Sequence, residues 1–180
     1  MNIWHDINPD KIKYNDFLAV IEISKGSKNK YELDKDTGMI YLDRILYTST
    51  HYPANYGFIP LTYANDLDPL DVLVLCSEAL VPMSLVRCYP IGVIRMIDGK
   101  YNDDKIIAIP YNDPNMNHYK NIEDVPCHVI SEIEHFFMVY KNLEHKSTTG
   151  FKLEGKEIAD KIIKDALNEY QLKKEQLIKH

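Results

Sequence analysis

Asp66-Leu67-Asp68-Pro69-Leu70-Asp71 places three carboxylates in one short turn immediately before the apolar run Val72-Leu73-Val74-Leu75. Carboxylates this close repel and raise one another's pKa unless a cation or hydrogen-bond donors offset the charge, and oxygen-only ligand sets select Mg²⁺, Mn²⁺ or Ca²⁺. An exposed turn with an Asx cap accommodates the same residue types. A calcium-binding EF-hand loop does not, because its sixth position needs Gly and its twelfth needs Glu, where this chain has Asp71 and Ser77.

Other ionisable residues share this character. Asp98 and Asp103 flank Gly99-Lys100-Tyr101-Asn102, a hairpin turn at a strand end, where scaffolds place sites, and Lys105 follows. Glu22 interrupts the apolar run Phe17 to Ile23. Burying a lone carboxylate costs several kcal/mol, so Glu22 needs either a salt bridge to Lys30 or Arg44, or a cation. Arg as a planar fork and Lys as a point charge both suit phosphate, so several acids beside several bases point to metal-assisted phosphoryl chemistry.

Composition narrows the classes. The net charge of −6 over 180 residues, with no basic patch interleaved with aromatics, argues against nucleic acid as a partner. No apolar run approaches membrane-spanning length, and Met1-Asn2-Ile3-Trp4-His5-Asp6 lacks the basic-then-apolar layout of a secretory signal. A soluble cytoplasmic protein without membrane contact is expected. Cys76, Cys88 and Cys127, odd in number and without zinc spacing, read as reduced core residues. The five histidines from His51 to His145 form no ligand pattern and read as structural or surface residues.

The elements that must position these residues begin with strands. Phe17 to Ile23 joins the alternating Lys30-Tyr31-Glu32-Leu33 through a turn-rich segment, as a hairpin, with Lys30 and Glu32 on one face. Further strands are predicted at Met39 to Arg44, Phe58 to Leu61, Val72 to Leu75, Leu85 to Ile97 and Ile106 to Ile109. Short strands without intervening helices argue for a small barrel or sandwich. Helices come late. Pro126 opens one whose stripe Ile130, Ile133, Phe137 and Tyr140 runs to about Asn142; a second spans Lys156 to Lys174 with Ile158, Ile162, Ile163, Ala166, Leu167 and Tyr170. With no linker or repeat, one domain over residues 1–180 is expected.

Taken together, Glu22, Lys30-Tyr31-Glu32, Asp43-Arg44, Tyr52-Pro53-Ala54-Asn55-Tyr56-Gly57, the acidic hexapeptide, Asp98 with Asp103 and Lys105, and His135-Phe136-Phe137 with Tyr140-Lys141 make the chain resemble the family I soluble inorganic pyrophosphatases over about residues 17–145. The resemblance implies an α+β fold: a five-stranded OB-like barrel, mainly antiparallel, with two longer helices outside, the second C-terminal. It implies Mg²⁺-dependent hydrolysis of pyrophosphate to two phosphates by a metal-activated water attacking in line, with several Mg²⁺ per site and Mn²⁺ or Zn²⁺ as substitutes, in a homo-oligomer, a hexamer in bacterial and archaeal members.

Carried over position by position, the resemblance makes Asp66, Asp71 and Asp103 the holders of the tightest Mg²⁺, with Asp71 bridging to a second ion. Asp98, Asp103, Glu32 and Glu22 serve ions arriving with substrate. Lys30, Arg44, Tyr56, Lys105, Tyr140 and Lys141 hold the phosphates, Tyr52 completes the polar wall, and Asp68 takes the proton of the attacking water, with Tyr56 beside it in the catalytic group. Two cations bridged by one water, about 3.5–4 Å apart, lower its pKa and align it. Other readings are a hydrolase of different phosphoanhydrides and a non-catalytic OB-like binding module.

Two positions depart from the family pattern. Leu67 stands where relatives carry a small or polar residue, implying a tighter or more buried turn. Beyond Glu144 the Lys-Trp-Val segment of bacterial members is absent, and His145 to Gly155 resembles the plant version.

Overall fold

The computed structural model describes residues 2–146 and 148–178, with Asp98 described by its backbone alone. In chain order its strands are β1 (Ile12–Lys13), β2 (Asp16–Ile23), β3 (Asn29–Leu33), β4 (Ile40–Ile45), β5 (Asn55–Ile59), β6 (Leu70–Val74), β7 (Leu85–Asp98), β8 (Tyr101–Asn102), β9 (Lys105–Pro110) and β10 (Thr149–Gly155). Among the described residues two α-helices follow the barrel strands in sequence: α1 (Cys127–Val139) and α2 (Lys156–Leu177).

Strand order closes on itself. β2 pairs with β5, β5 with β6, β6 with β9, β9 with β7, and β7 returns to β2, giving a five-stranded barrel. Closure removes the exposed edges that would otherwise invite aggregation. Four of these pairings are antiparallel, and β6 with β9 is parallel, so the barrel is mixed.

Continuous apolar runs on β6 and β9 follow from burial on both faces. With side chains alternating, Val72, Val74, Ile106 and Ala108 join one cluster that includes Ala159, Ile163, Ala166 and Tyr170 of α2. Leu73, Ile107 and Ile109 join a second cluster with Ile133, Phe136 and Phe137 of α1. Pro126, which has no N–H to lose, caps α1, in keeping with the expected helix start.

The structure corrects several expectations. β3 does not form a hairpin with β2; it pairs with β4 in a separate two-stranded ribbon, although the connection from β2 is as short as the one to β4. In α2 the buried stripe runs through Ala159, Ile163, Ala166 and Tyr170, which leaves Ile158 37% exposed on its outer edge. Cys127 is exposed as the first residue of α1 and Cys76 is half-buried; of the three cysteines only Cys88 lies in the core. His51, His118, His128, His135 and His145 are all exposed, as expected of surface residues.

Candidate active site

Barrel, ribbon and helix end meet around a cavity of about 620 Å³. β2 contributes Glu22, the ribbon contributes Lys30, Glu32 and Arg44, and β5 contributes Tyr56. Asp66 and Asp68 come from the turn before β6, Asp71 from β6, Asp103 and Lys105 from the start of β9, and Tyr140 and Lys141 from the end of α1. The structure thus brings together every residue given a metal-holding, phosphate-holding or catalytic role in the sequence except Asp98, whose side chain lies outside the described residues; Tyr52, expected in the polar wall, is buried behind it against Tyr56 and Phe136.

The parallel pairing of β6 and β9 sets Asp71 directly beside Lys105 in register. Lys105, only 3% exposed, lies with Nζ 2.8 Å from Asp71 Oδ2, 2.8 Å from Asp103 Oδ1 and 2.9 Å from Tyr56 Oη. Tyr56 in turn donates to Asp71 Oδ2 at 2.6 Å. Burial by itself would lower the Lys105 pKa, but the two carboxylates outweigh it and hold the ammonium well above its usual range. Lys105 is therefore a fixed buried cation.

Asp66, Asp71 and Asp103 each bring one carboxylate oxygen within 4.8 Å of the other two. Burial, then the neighbouring Asp71, Asp103 and Asp68, pushes Asp66 up to about 7. Burial also raises Asp71, with Lys105 opposing. Asp103 goes the other way, because Lys105 and Lys141 outweigh its burial. Asp66 and Asp71 are pushed towards protonation by burial and then by neighbouring carboxylates, a penalty on their charge that a hard divalent cation relieves, so the all-oxygen donor set fits such an ion.

The acidic turn is shaped by its backbone. Ala64 N–H donates to Asp68 O at 2.8 Å and Leu67 N–H to Ala64 O at 3.1 Å, while Leu67 takes φ of 70°. Leu67 is 52% exposed, so the tighter burial implied by its departure from the family pattern is not what the fold does with it. Its side chain points away from the core and leaves Asp66 and Asp68 on the cavity side. The Asp68 carboxylate forms an ion pair with Lys35.

Glu22 resolves differently from either ion pair proposed for it. Its Oε1 accepts from Leu33 N–H at 2.8 Å, while Lys30 pairs with Glu32 and Asp43 and Arg44 pairs with Asp43 and Glu144. Burial, reinforced by Asp71, pushes its carboxyl up to about 8. Sequence reasoning missed Lys35, Tyr41, Lys146 and Glu144. Tyr41 donates to Glu32 Oε2 at 2.9 Å and Lys146 lines the cavity. Glu144 stands only three positions beyond Lys141, yet its partner on β4 is far away in sequence.

The sequence pattern of the inorganic pyrophosphatase family matches residues 19–171. The chain belongs to that family. Among proteins similar to it, soluble inorganic pyrophosphatase 2 of Chlamydomonas reinhardtii is 50% identical over 168 residues, 93% of this chain and 88% of that one. Inorganic pyrophosphatase of Haloferax volcanii is 40% identical over 95% of this chain and 97% of that one. The crystal structure of inorganic pyrophosphatase from Thermus thermophilus superposes with a TM-score of 0.89 at 37% identity, covering 95% of this chain and 99% of that one. Among the described residues of this inorganic pyrophosphatase family member, no helix is long and apolar enough to cross a membrane.

Proposed function

We propose that this protein hydrolyses inorganic pyrophosphate to two phosphates with Mg²⁺ as its cofactor. The observation that carries the reading is the meeting, in one cavity, of the Asp66, Asp71 and Asp103 cluster with the cations Lys30, Arg44, Lys105 and Lys141. Pyrophosphate brings roughly three or four negative charges that repel any nucleophile, and catalysis of phosphoryl transfer is mainly their neutralisation and alignment.

In this reading Asp66, Asp71 and Asp103 hold the tightest Mg²⁺, and Glu32, Glu22 and Asp98 serve further ions. Bound Mg²⁺ supplies charge neutralisation and acidifies water. Lys30, Arg44, Lys105, Lys141, Tyr56 and Tyr140 grip the two phosphoryl groups. Arg44 suits a bidentate grip and the lysines act as point charges. Lys105, fixed between two carboxylates and a phenol, keeps its charge without having to be ordered when substrate arrives. Asp68, half-exposed at the cavity rim beside Lys35, takes the proton of the attacking water.

Several broader features belong to the same reading: one domain across residues 1–180, a cytoplasmic site of action, and a homohexameric assembly. Relatives named soluble enzymes support the second, and light scattering on purified protein would test the third. The activity is tested by colorimetric phosphate release from pyrophosphate at neutral pH, with and without millimolar Mg²⁺, and with ATP in place of pyrophosphate. Fast release from pyrophosphate only with Mg²⁺ is expected; no release with any divalent cation would overturn the reading, and faster release from ATP would move it to another phosphoanhydride.

A further inference from the structure

We propose that Glu144 is a positioning residue for Arg44, drawing the guanidinium by charge into its place on the cavity wall and tying the β3–β4 ribbon to the end of α1. The inference rests on the reading of the cavity as a pyrophosphate site with Arg44 on a phosphate. Glu144 Oε1 lies 2.9 Å from Arg44 Nε, and the Glu144 side chain is only 7% exposed. Asp43 accepts a hydrogen bond from Nη1 of the same guanidinium, whereas Glu144 faces Nε as a close opposite charge without hydrogen-bond geometry, so the head is bonded at one point and drawn by charge at the other while it lines the cavity.

Burying a carboxylate costs several kcal/mol unless it is paired, and a carboxylate kept for packing alone would have both oxygens satisfied. Glu144 does not fit that description. Its Oε2 is buried without a hydrogen-bond partner among the described residues, and the ion pair of Oε1 is with Arg44. The carboxylate is thus committed to one cation, itself a candidate substrate contact.

Backbone geometry shows what the pair connects. A short 3₁₀ turn, Asn142–Glu144, follows α1, and Glu144 N–H donates to Lys141 O at 3.0 Å. Glu144 therefore sits in the same turn as Lys141, directly after Tyr140. On the other side, β3 and β4 pair with each other and with no barrel strand among the described residues. Arg44 and Lys30 stand opposite each other in the ribbon. The ion pair fixes the distance between one wall of the cavity, carrying Lys30 and Arg44, and the other, carrying Tyr140 and Lys141.

Steady-state pyrophosphate hydrolysis with Mg²⁺ on the wild type, Glu144→Gln, Arg44→Lys and the double variant tests this, with thermal unfolding of each. Glu144→Gln keeps the side-chain volume and removes the charge. It should raise KM about tenfold, a cost of about 1.4 kcal/mol, with kcat within about threefold. In the Arg44→Lys background, where the planar fork is already gone, the same change should alter KM by less than about twofold.

The proposal is overturned if Glu144→Gln leaves KM within about twofold of wild type while Arg44→Lys raises it, or if the Glu144→Gln effect persists in full in the Arg44→Lys background, the signature of a structural role. Should Arg44→Lys itself leave KM unchanged in an active enzyme, it is the assignment of Arg44 that has failed, and the inference falls with it. If Glu144→Gln does not fold, Glu144→Asp, which keeps the charge but draws it back by one methylene, should raise KM in the same direction by a smaller factor; an unchanged KM overturns the proposal.

Discussion

Glu22→Gln in metal-free protein isolates the cost of one buried carboxyl. Its Oε1 accepts from Leu33 N–H, and a glutamine amide oxygen can accept the same bond, so the substitution removes ionisation while keeping shape and acceptor. In the folded protein Glu22 titrates at about 8, against an ordinary value of 4.5. Between those values the folded state holds a proton that the unfolded state has released, so this group makes stability fall as pH rises from 4.5 towards 8. At about 1.36 kcal/mol per pH unit the whole interval is worth about 5 kcal/mol, and the part between pH 5 and pH 8.5 about 4 kcal/mol.

The measurement is urea unfolding of wild type and Glu22→Gln with excess chelator, at equal protein concentration, at pH 5 and pH 8.5. Titrating groups remote from Glu22 act on both proteins alike, so the difference in stability reports Glu22 together with its coupling to Asp71. Glu22→Gln should gain on wild type by about 2–4 kcal/mol across that range, the lower end allowing for water entry around the ionised carboxylate. Saturating Mg²⁺ should shrink the advantage at pH 8.5, because a nearby cation favours the ionised form. A difference independent of pH would refute the reasoning, showing that Glu22 is ionised in the fold despite its burial.

Three other outcomes are expected. Asp71→Ala removes one corner of the carboxylate cluster and one of the two acids neutralising Lys105; kcat/KM for pyrophosphate should drop by more than ~10³, about 4 kcal/mol, with near-normal activity contradicting the metal assignment. Asp68→Asn should depress kcat and flatten the acid limb of its pH profile while Mg²⁺ affinity by calorimetry stays close to wild type; an unaltered profile would exclude Asp68 as the proton acceptor. Gly57→Ala would put a Cβ 1.8 Å from Val20 O, in a barrel where both strands are fixed by pairing, so a loss of about 3 kcal/mol or more should appear as a lowered unfolding midpoint or failure to fold; a stability equal to wild type would mean β2 and β5 can separate freely.

What could be read along the chain was whatever local order determines. Apolar runs on β6 and β9, the start of α1 behind Pro126 and the crowding of Asp66, Asp68 and Asp71 are matters of residue type and short spacing. The order of Glu22, the Lys and Arg positions and the two acidic loops was enough to mark the family and the residues that meet at the cavity. Charges that share a cavity must be of the kinds its chemistry needs, and those kinds are written in the sequence.

Which charge neutralises which was decided only in three dimensions. Lys105 reaches Asp71, 34 residues away, because β6 and β9 pair in parallel, and the choice of β9 as the partner of β6 is made by closure of the barrel rather than within either strand. Glu22 lies beside Leu33 rather than in a salt bridge because β3 leaves β2 to pair with β4. Glu144, in a turn with no pattern of its own, meets Arg44 only once the helix end and the ribbon are both in place. Side-chain identity and periodicity are local properties, whereas the pairing of strands and the matching of buried charges depend on the closure of the whole barrel, where each contact is set by chain segments distant in sequence.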